Sequence, residues 1–424
     1  MKQLSRLALV LALATPLLAQ DEPPRLVAIG DIHGSLDGFT AILKAAGLTG
    51  DDGRWSGGRT IFIQTGDYMD RGPGVRAVMD RLMALEAEAK SAGGRAEALL
   101  GNHEVMNLIA HTRDTTTTIF AAFADDKSES RREDEWGDYR KLAPAAKLRG
   151  SVIPSVYRQN REEWMAAHPR GYVEYRAALA PKGKYGAWLR EKPMVVEVVG
   201  TILMHAGIPP EAAPERLEDL NQKVKAEIAR LDRFRQKMLD KKLITQSFTL
   251  TEMAQAAMGE IDTANALIKA SNAAGPGVDP ATLDMEFLKE AVEILKADTW
   301  MVLAEDSPLW YRGYALLPDD EGGPIPALLT KYGARRFVVG HTPQPPFRIV
   351  SRFRGRVFVI DTGMLKEHYG GRGSALELKG AEATAIYEDG RVPLGGASTG
   401  VPVASFWNHS TVRRSPSSSF TVGR

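Results

Sequence analysis

The stretch RLVAIGDIHG, residues 25–34, decides how the rest of this chain is read. RLVAI is a mostly apolar run of strand length that stops at Gly30. Asp31 and His33 follow, on either side of Ile32. Alternate residues at a strand end point the same way, so this carboxylate and imidazole can reach one cation. The pattern recurs. TIFIQ (60–64) leads to Gly66-Asp67, and AEALL (96–100) to Gly101-Asn102-His103-Glu104. TILM (201–204) leads to His205, RFVV (336–339) to Gly340-His341, and VFVI (357–360) to Asp361. Residues 38–46 and 75–92, between the first three runs, are patterned as helices. Strand–helix–strand repeats predict an α/β sheet, whose ligands lie beyond the carboxyl ends of its strands. All six polar motifs fall at those ends, which points to one shared site.

The chain has 424 residues, 44% hydrophobic and 25% charged, enough for a large core. Its 54 basic and 53 acidic residues leave a formal charge of +1, without the basic footprint of a nucleic-acid binder. Cysteine is absent, which excludes a thiolate nucleophile and Cys-ligated zinc. Any metal must be held by His, Asp, Asn or Glu. Residues 1–20 read as a secretory signal: Lys2 and Arg6 precede an apolar run over 7–18, with Ala19 before the expected cut. An exported, periplasmic protein is therefore expected, if the source is a Gram-negative bacterium. No later stretch is apolar for long enough to span a membrane.

The motifs supply complementary chemistry. Asp67 offers two oxygens that can bridge two cations, and Asn102 offers an amide oxygen. Arg71, in GDYMDRG (66–72), carries a planar fork suited to phosphate, and His103 is placed to donate a proton. His205 and His341 complete a mixed N and O ligand set that suits Mn, Fe or Zn. Taken singly, each has a plain reading: His205 as a core histidine, Asp31 or Asp67 as a turn or cap residue, Arg312 as a surface ion pair. The ordered set argues against all of these together.

GDIHG, GDYMDRG, GNHE, MHAG and VVGH resemble the metal-binding blocks of the calcineurin-like metallophosphoesterases, and within them the phosphoprotein phosphatases. SPLWYRG (307–313) resembles the bacterial-type branch called Shewanella-like protein phosphatases. The resemblance covers residues 26–370 and is thin in two long segments. It implies a β-sandwich flanked by helices (αββα) with two long, mostly helical insertions. It further implies that Asp31, His33 and Asp67 hold a first metal, and Asp67, Asn102, His205 and His341 a second. His103 would be the general acid, oriented by Asp70. Arg71, Arg312 and Asn102 would bind the phosphate, with Tyr369 near the pocket mouth. Two such cations stabilise the attacking and leaving oxygens and acidify a bridging water, so no phosphoenzyme is needed.

The resulting layout is a signal over 1–20, a catalytic domain over 21–404 with insertions at about 111–192 and 211–299, and a Ser-rich tail over 405–424. The insertions read equally as a specificity cap or as scaffold. Residues 271–280 read as a loop, and 373–392 as two closing strands with a turn at Glu388-Asp389-Gly390. His111 reads as helical surface, and His168 as part of a charged loop. The expected substrate is a phosphorylated protein or peptide, on tyrosine or on serine and threonine. Small phosphoesters or dinucleotide polyphosphates are the nearest alternative, and an inactive metal-binding interaction module is the alternative of another class.

Overall fold

A computed structural model describes residues 23–274, 283–319 and 323–395. The expected signal and the tail lie outside them. Strands β1 (Leu26–Ile29), β2 (Ile61–Gln64) and β3 (Arg95–Ala98) form at the first three apolar runs and pair in parallel. A second sheet holds β4 (Val195–Val198), β5 (Thr201–Met204), β6 (Arg336–Val339), β7 (Val350–Arg352) and β8 (Val357–Val359). In it β5, β6 and β8 run parallel, and β4 and β7 are antiparallel edges. The chain then returns to the first sheet as β9 (Ser374–Lys379), β10 (Glu382–Tyr387) and β11 (Gly390–Pro393). The strand orders are β11-β10-β9-β1-β2-β3 and β4-β5-β6-β8-β7.

Period-two alternation sorts the side chains into layers. Leu26 and Ala28 of β1 and Leu376 and Leu378 of β9 meet Leu203, Val338 and Phe358 of the other sheet in a core between the sheets. Val27, Ile29 and Phe62 turn the other way, beneath α1 (Leu36–Ala45) and α2 (Val75–Ser91), against Phe39, Ile42 and Val78. Ile202, Met204, Phe337 and Val339 face outward on the second sheet, on the side of the helix Leu217–Asp240. Two mixed sheets flanked by helices result, as expected.

Four expectations need correction. The closing segment makes three strands, because Gly380 (φ +58°) turns the chain once more between β9 and β10. The helix starting at Leu250 runs on to Ala274, past the start of the expected loop, because after Gly259 no glycine or proline follows before Gly275. His111 is not on a helix: it follows the end of helix α3 (Asn102–Leu108) and is half-buried, its backbone N–H closing on the Met106 carbonyl at 2.8 Å. His168 is buried, not looped into solvent. It caps the helix Arg161–Ala167 and stacks on Trp164 at 4.1 Å between ring centroids. The first long segment folds as short helices from Thr117 to Arg190, and the second as two long helices, Leu217–Asp240 and Leu250–Ala274, and a short one, Met285–Ile294. Among the described residues no helix is long and apolar enough to cross a membrane.

Candidate metal centre

The loops beyond β1, β2 and β6 carry left-handed backbone at residues other than glycine: His33, Asp67, Asp70, Arg71 and His341, with φ between +46° and +67°. Such residues cost about 1–3 kcal/mol each and persist only where the surroundings fix them. Glu104 provides much of that fixing. Its buried carboxylate accepts from the backbone N–H groups of Asp67 (2.7 Å), Tyr68 (2.9 Å), Met69 (3.0 Å) and Gly101 (2.8 Å). Burial, then Asp67, pushes this carboxyl up to about 8, while the N–H groups of Asp67 and Gly101 act the other way and favour its charged form. Gly66 (φ +98°) completes the crossing, since a Cβ there would lie 2.5 Å from the Gly101 nitrogen.

Asp31, His33, Asp67, Asn102, His103, His205 and His341 all converge, and all are buried. Each imidazole has one nitrogen committed to an acceptor outside the cluster. His33 Nδ1 donates to the Met69 carbonyl (2.9 Å), His205 Nδ1 to Thr65 (3.2 Å) and His341 Nε2 to Trp310 (3.0 Å). His103 Nδ1 donates to Asp70 Oδ2 (2.8 Å). A carbonyl only accepts, so in the first three rings the other nitrogen is left with a lone pair facing inward. His205 Nε2 then lies 2.9 Å from His341 Nδ1, 2.9 Å from Asn102 Oδ1 and 3.2 Å from Asp67 Oδ2. Four acceptors point at one another with no proton to share, an arrangement that a cation satisfies. The other half is looser: His33 Nε2 stands 3.7 Å from Asp67 Oδ2 and 3.9 Å from Asp31 Oδ2. Asp67 belongs to both groups of converging atoms, one with His205 and His341, the other with His33 and His103.

The electrostatics agree. Burial, then Arg71 and His103, holds His33 well below the usual histidine range. Burial, then His205 and Arg312, does the same to His341. Both rings are neutral at pH 7, as metal binding requires. Burial, then Asp361 and Asp67, pushes Asp31 well above the carboxylate range, and burial pushes Asp361 up to about 6. Bound cations would reverse that penalty.

A calcineurin-like phosphoesterase family model matches residues 24–237, half of the chain. The protein belongs to that family. The phosphoesterase is thus a hydrolase whose fold implies divalent metal ions, and the His and Asp clusters above fit them. It is similar over 370 residues to an uncharacterized protein of Schizosaccharomyces pombe, at 27% identity covering 86% of this chain and 80% of that one. It is 32% identical over 213 residues to Shewanella-like protein phosphatase 2 of Arabidopsis thaliana, covering 48% and 52%. It is 23% identical over 352 residues to Shewanella-like protein phosphatase 1 of Plasmodium berghei, covering 82% and 69%. Its fold matches the cold-active protein-tyrosine phosphatase of a psychrophilic Shewanella, with a TM-score of 0.50 and 21% identity over 88% of this chain and 81% of that one.

Both expected arginines of the phosphoesterase border the cluster. Arg71 Nη1 contacts His33 Nε2 and the Tyr369 hydroxyl, with its guanidinium 5.4 Å from the Tyr369 ring centre. Arg312 Nη1 donates to the His341 carbonyl (2.8 Å) and to Thr342 Oγ1 (3.2 Å). Tyr369 is therefore at the site, and His368 packs edge-on behind it. Sequence reading gave no role to Glu104 or Asp361, although both stood in quoted motifs. It also missed Gln64, whose amide spans the two loops by donating to the Gly30 (3.0 Å) and Gly66 (2.7 Å) carbonyls.

A direct check on the cluster is thermal. Adding manganese to chelator-treated protein is expected to raise the melting temperature, since a ligand at 100 times its Kd stabilises by about 2.7 kcal/mol. Differential scanning fluorimetry reads this, and identical melting with manganese and with chelator would contradict the reading of the cluster as a cation site.

Proposed function

We propose that the chain is a phosphomonoesterase acting on phosphorylated protein or peptide, with two metal ions drawn from Mn, Fe and Zn. The observation that carries this reading is the shared position of Asp67, one carboxylate common to two groups of converging imidazoles. When bound, the cations supply positive charge to the phosphate and lower the pKa of a water between them. Asp31, His33 and Asp67 would hold one, and Asp67, Asn102, His205 and His341 the other. His103 presents Nε2 3.8 Å from Asp67 Oδ2 and would hand its proton to the leaving oxygen, with Nδ1 kept in place by Asp70. Arg71 and Arg312 would grip the phosphate from two sides, and Tyr369 would line the entry beside Arg71.

Two curated relatives named as protein phosphatases support a phosphoprotein substrate. The apolar run over 7–18 supports export, to the periplasm in a Gram-negative cell. The test is a substrate panel with manganese and with chelator: p-nitrophenyl phosphate, phosphotyrosine and phosphoserine peptides, a bis-phosphodiester and a dinucleotide polyphosphate. Manganese-dependent release of phosphate from the monoesters is expected. Cleavage of diesters or dinucleotides alone would overturn the proposal.

A further inference from the structure

Asp70 lies on the loop after β2, yet the groups that fix its carboxylate come from further along the chain. His103 Nδ1 and Asn107 Nδ2 each donate to Asp70 Oδ2 at 2.8 Å, and Thr115 Oγ1 donates to Asp70 Oδ1 at 2.8 Å. Asn107 is one helical turn beyond His103 on α3, and its amide also holds the His103 carbonyl at 2.9 Å. Its own oxygen faces two hydroxyls, Thr115 Oγ1 at 3.1 Å and the Tyr175 O–H, which donates to it. Thr115 can donate only one proton. With Tyr175 donating to Asn107, the Thr115 proton is left for Asp70, and the set of bonds is consistent throughout.

Tyr175 sits on the helix Tyr172–Leu179, separated from Asn107 by 68 positions. It is fully buried, with its ring edge-on to Phe120 at 5.2 Å and to Phe123 at 5.0 Å. Burial, with Asp70 nearby, pushes its hydroxyl well above the usual tyrosine value, so it remains a donor. The next residue, Arg176, reaches the Asn107 carbonyl at 3.2 Å. Gly171 (φ +91°) opens this helix, and a Cβ there would lie 1.9 Å from the Phe120 carbonyl oxygen, so the close docking needs glycine.

We infer that Thr115 and Tyr175 are positioning residues for His103, acting through Asn107 and Asp70, and that the first inserted segment is therefore part of the acid machinery. The inference rests on the reading of His103 as the proton donor. It also answers what the first long segment does near the site: it supplies the outermost hydrogen bonds of a relay Tyr175–Asn107–Asp70–His103, with Thr115 donating to the second oxygen of Asp70. A networked carboxylate keeps its imidazole in one orientation, and loosening any member misaims the proton.

The experiment compares two aryl monoesters of similar shape. p-Nitrophenolate leaves as a weak base with little need of a proton, and phenolate leaves as a strong base that needs one. Thr115→Val and Tyr175→Phe are expected to lower kcat on phenyl phosphate by about 10-fold and on p-nitrophenyl phosphate by less than about 2-fold, with KM unchanged. Thr115→Ser, which keeps the hydroxyl, is expected to retain wild-type kcat on both. Equal losses on the two esters, no loss on either, or a Thr115→Ser enzyme as impaired as Thr115→Val would overturn the inference. His103→Asn serves as the reference. If it is selective for phenyl phosphate while the Thr115 and Tyr175 variants are not, only the positioning claim falls. If His103→Asn loses equally on both esters, the acid reading falls and takes the inference with it.

Discussion

Asp67→Asn is expected to reduce phosphomonoesterase turnover by at least about 10³-fold, because charge stabilisation by a metal is worth several kcal/mol and 1.36 kcal/mol is tenfold in rate. Asp67 Oδ2 lies 3.2, 3.7 and 3.8 Å from the inward nitrogens of His205, His33 and His103, while Oδ1 accepts the His103 backbone N–H at 3.1 Å. An Asn at this position keeps the hydrogen bond from His103 and turns an N–H toward the His205 lone pair. The metal-free variant should therefore melt no lower than metal-free wild type. What it loses is the negative charge shared by both halves of the cluster, so manganese should raise its melting temperature far less. Elemental analysis after dialysis, together with melting curves, separates these effects. A variant that retains two metals per chain and near-normal turnover would show that Asp67 does not bridge.

The sheets and the residues that converge at the cluster were legible because each depends on local sequence. An apolar run ending in glycine and then a polar residue marks a buried parallel strand and its loop, and β1, β2, β5 and β6 lie within a residue of their expected bounds. Edge strands were less legible. β7, with sequence VSR, is half polar since only one side of it meets the core. β4 was missed although the turn at Val199-Gly200, both with positive φ, ties it to β5. The backbone clamp of Glu104 was hidden for another reason: a carboxylate that holds four amide groups looks, in sequence, like any helix-opening acid. Tyr175 was illegible altogether. Nothing in an aromatic-rich helical segment tells which ring carries a hydroxyl into a distant network, and only the docking of that helix on α3 reveals it.

His103→Asn is expected to lower kcat by about 10²–10⁴-fold while leaving metal content unchanged, the range typical for loss of a general acid. The second half of that statement decides between two roles. His103 Nε2 is close enough to His33 and Asp67 to count as a third ligand in their group, whereas Asp31 keeps Oδ2 3.9 Å from His33 Nε2 and commits Oδ1 to the His341 backbone N–H at 2.9 Å. Distance alone would thus allow His103 to be a ligand. The hydrogen bond on its far side favours the acid. His33, His205 and His341 lean on neutral carbonyls, which fix a tautomer and leave a lone pair inward. His103 alone among the four leans on a carboxylate, Asp70, which holds the ring through Nδ1 and keeps Nε2 aimed at the place of the leaving oxygen. Asn at this position can still donate to Asp70 but has no second proton to give. If the variant loses turnover and keeps its metals, the acid role stands and Asp31 is the third ligand of the first metal. If it loses one metal per chain along with activity, His103 is itself a ligand, and the proton must come from another group at the same mouth.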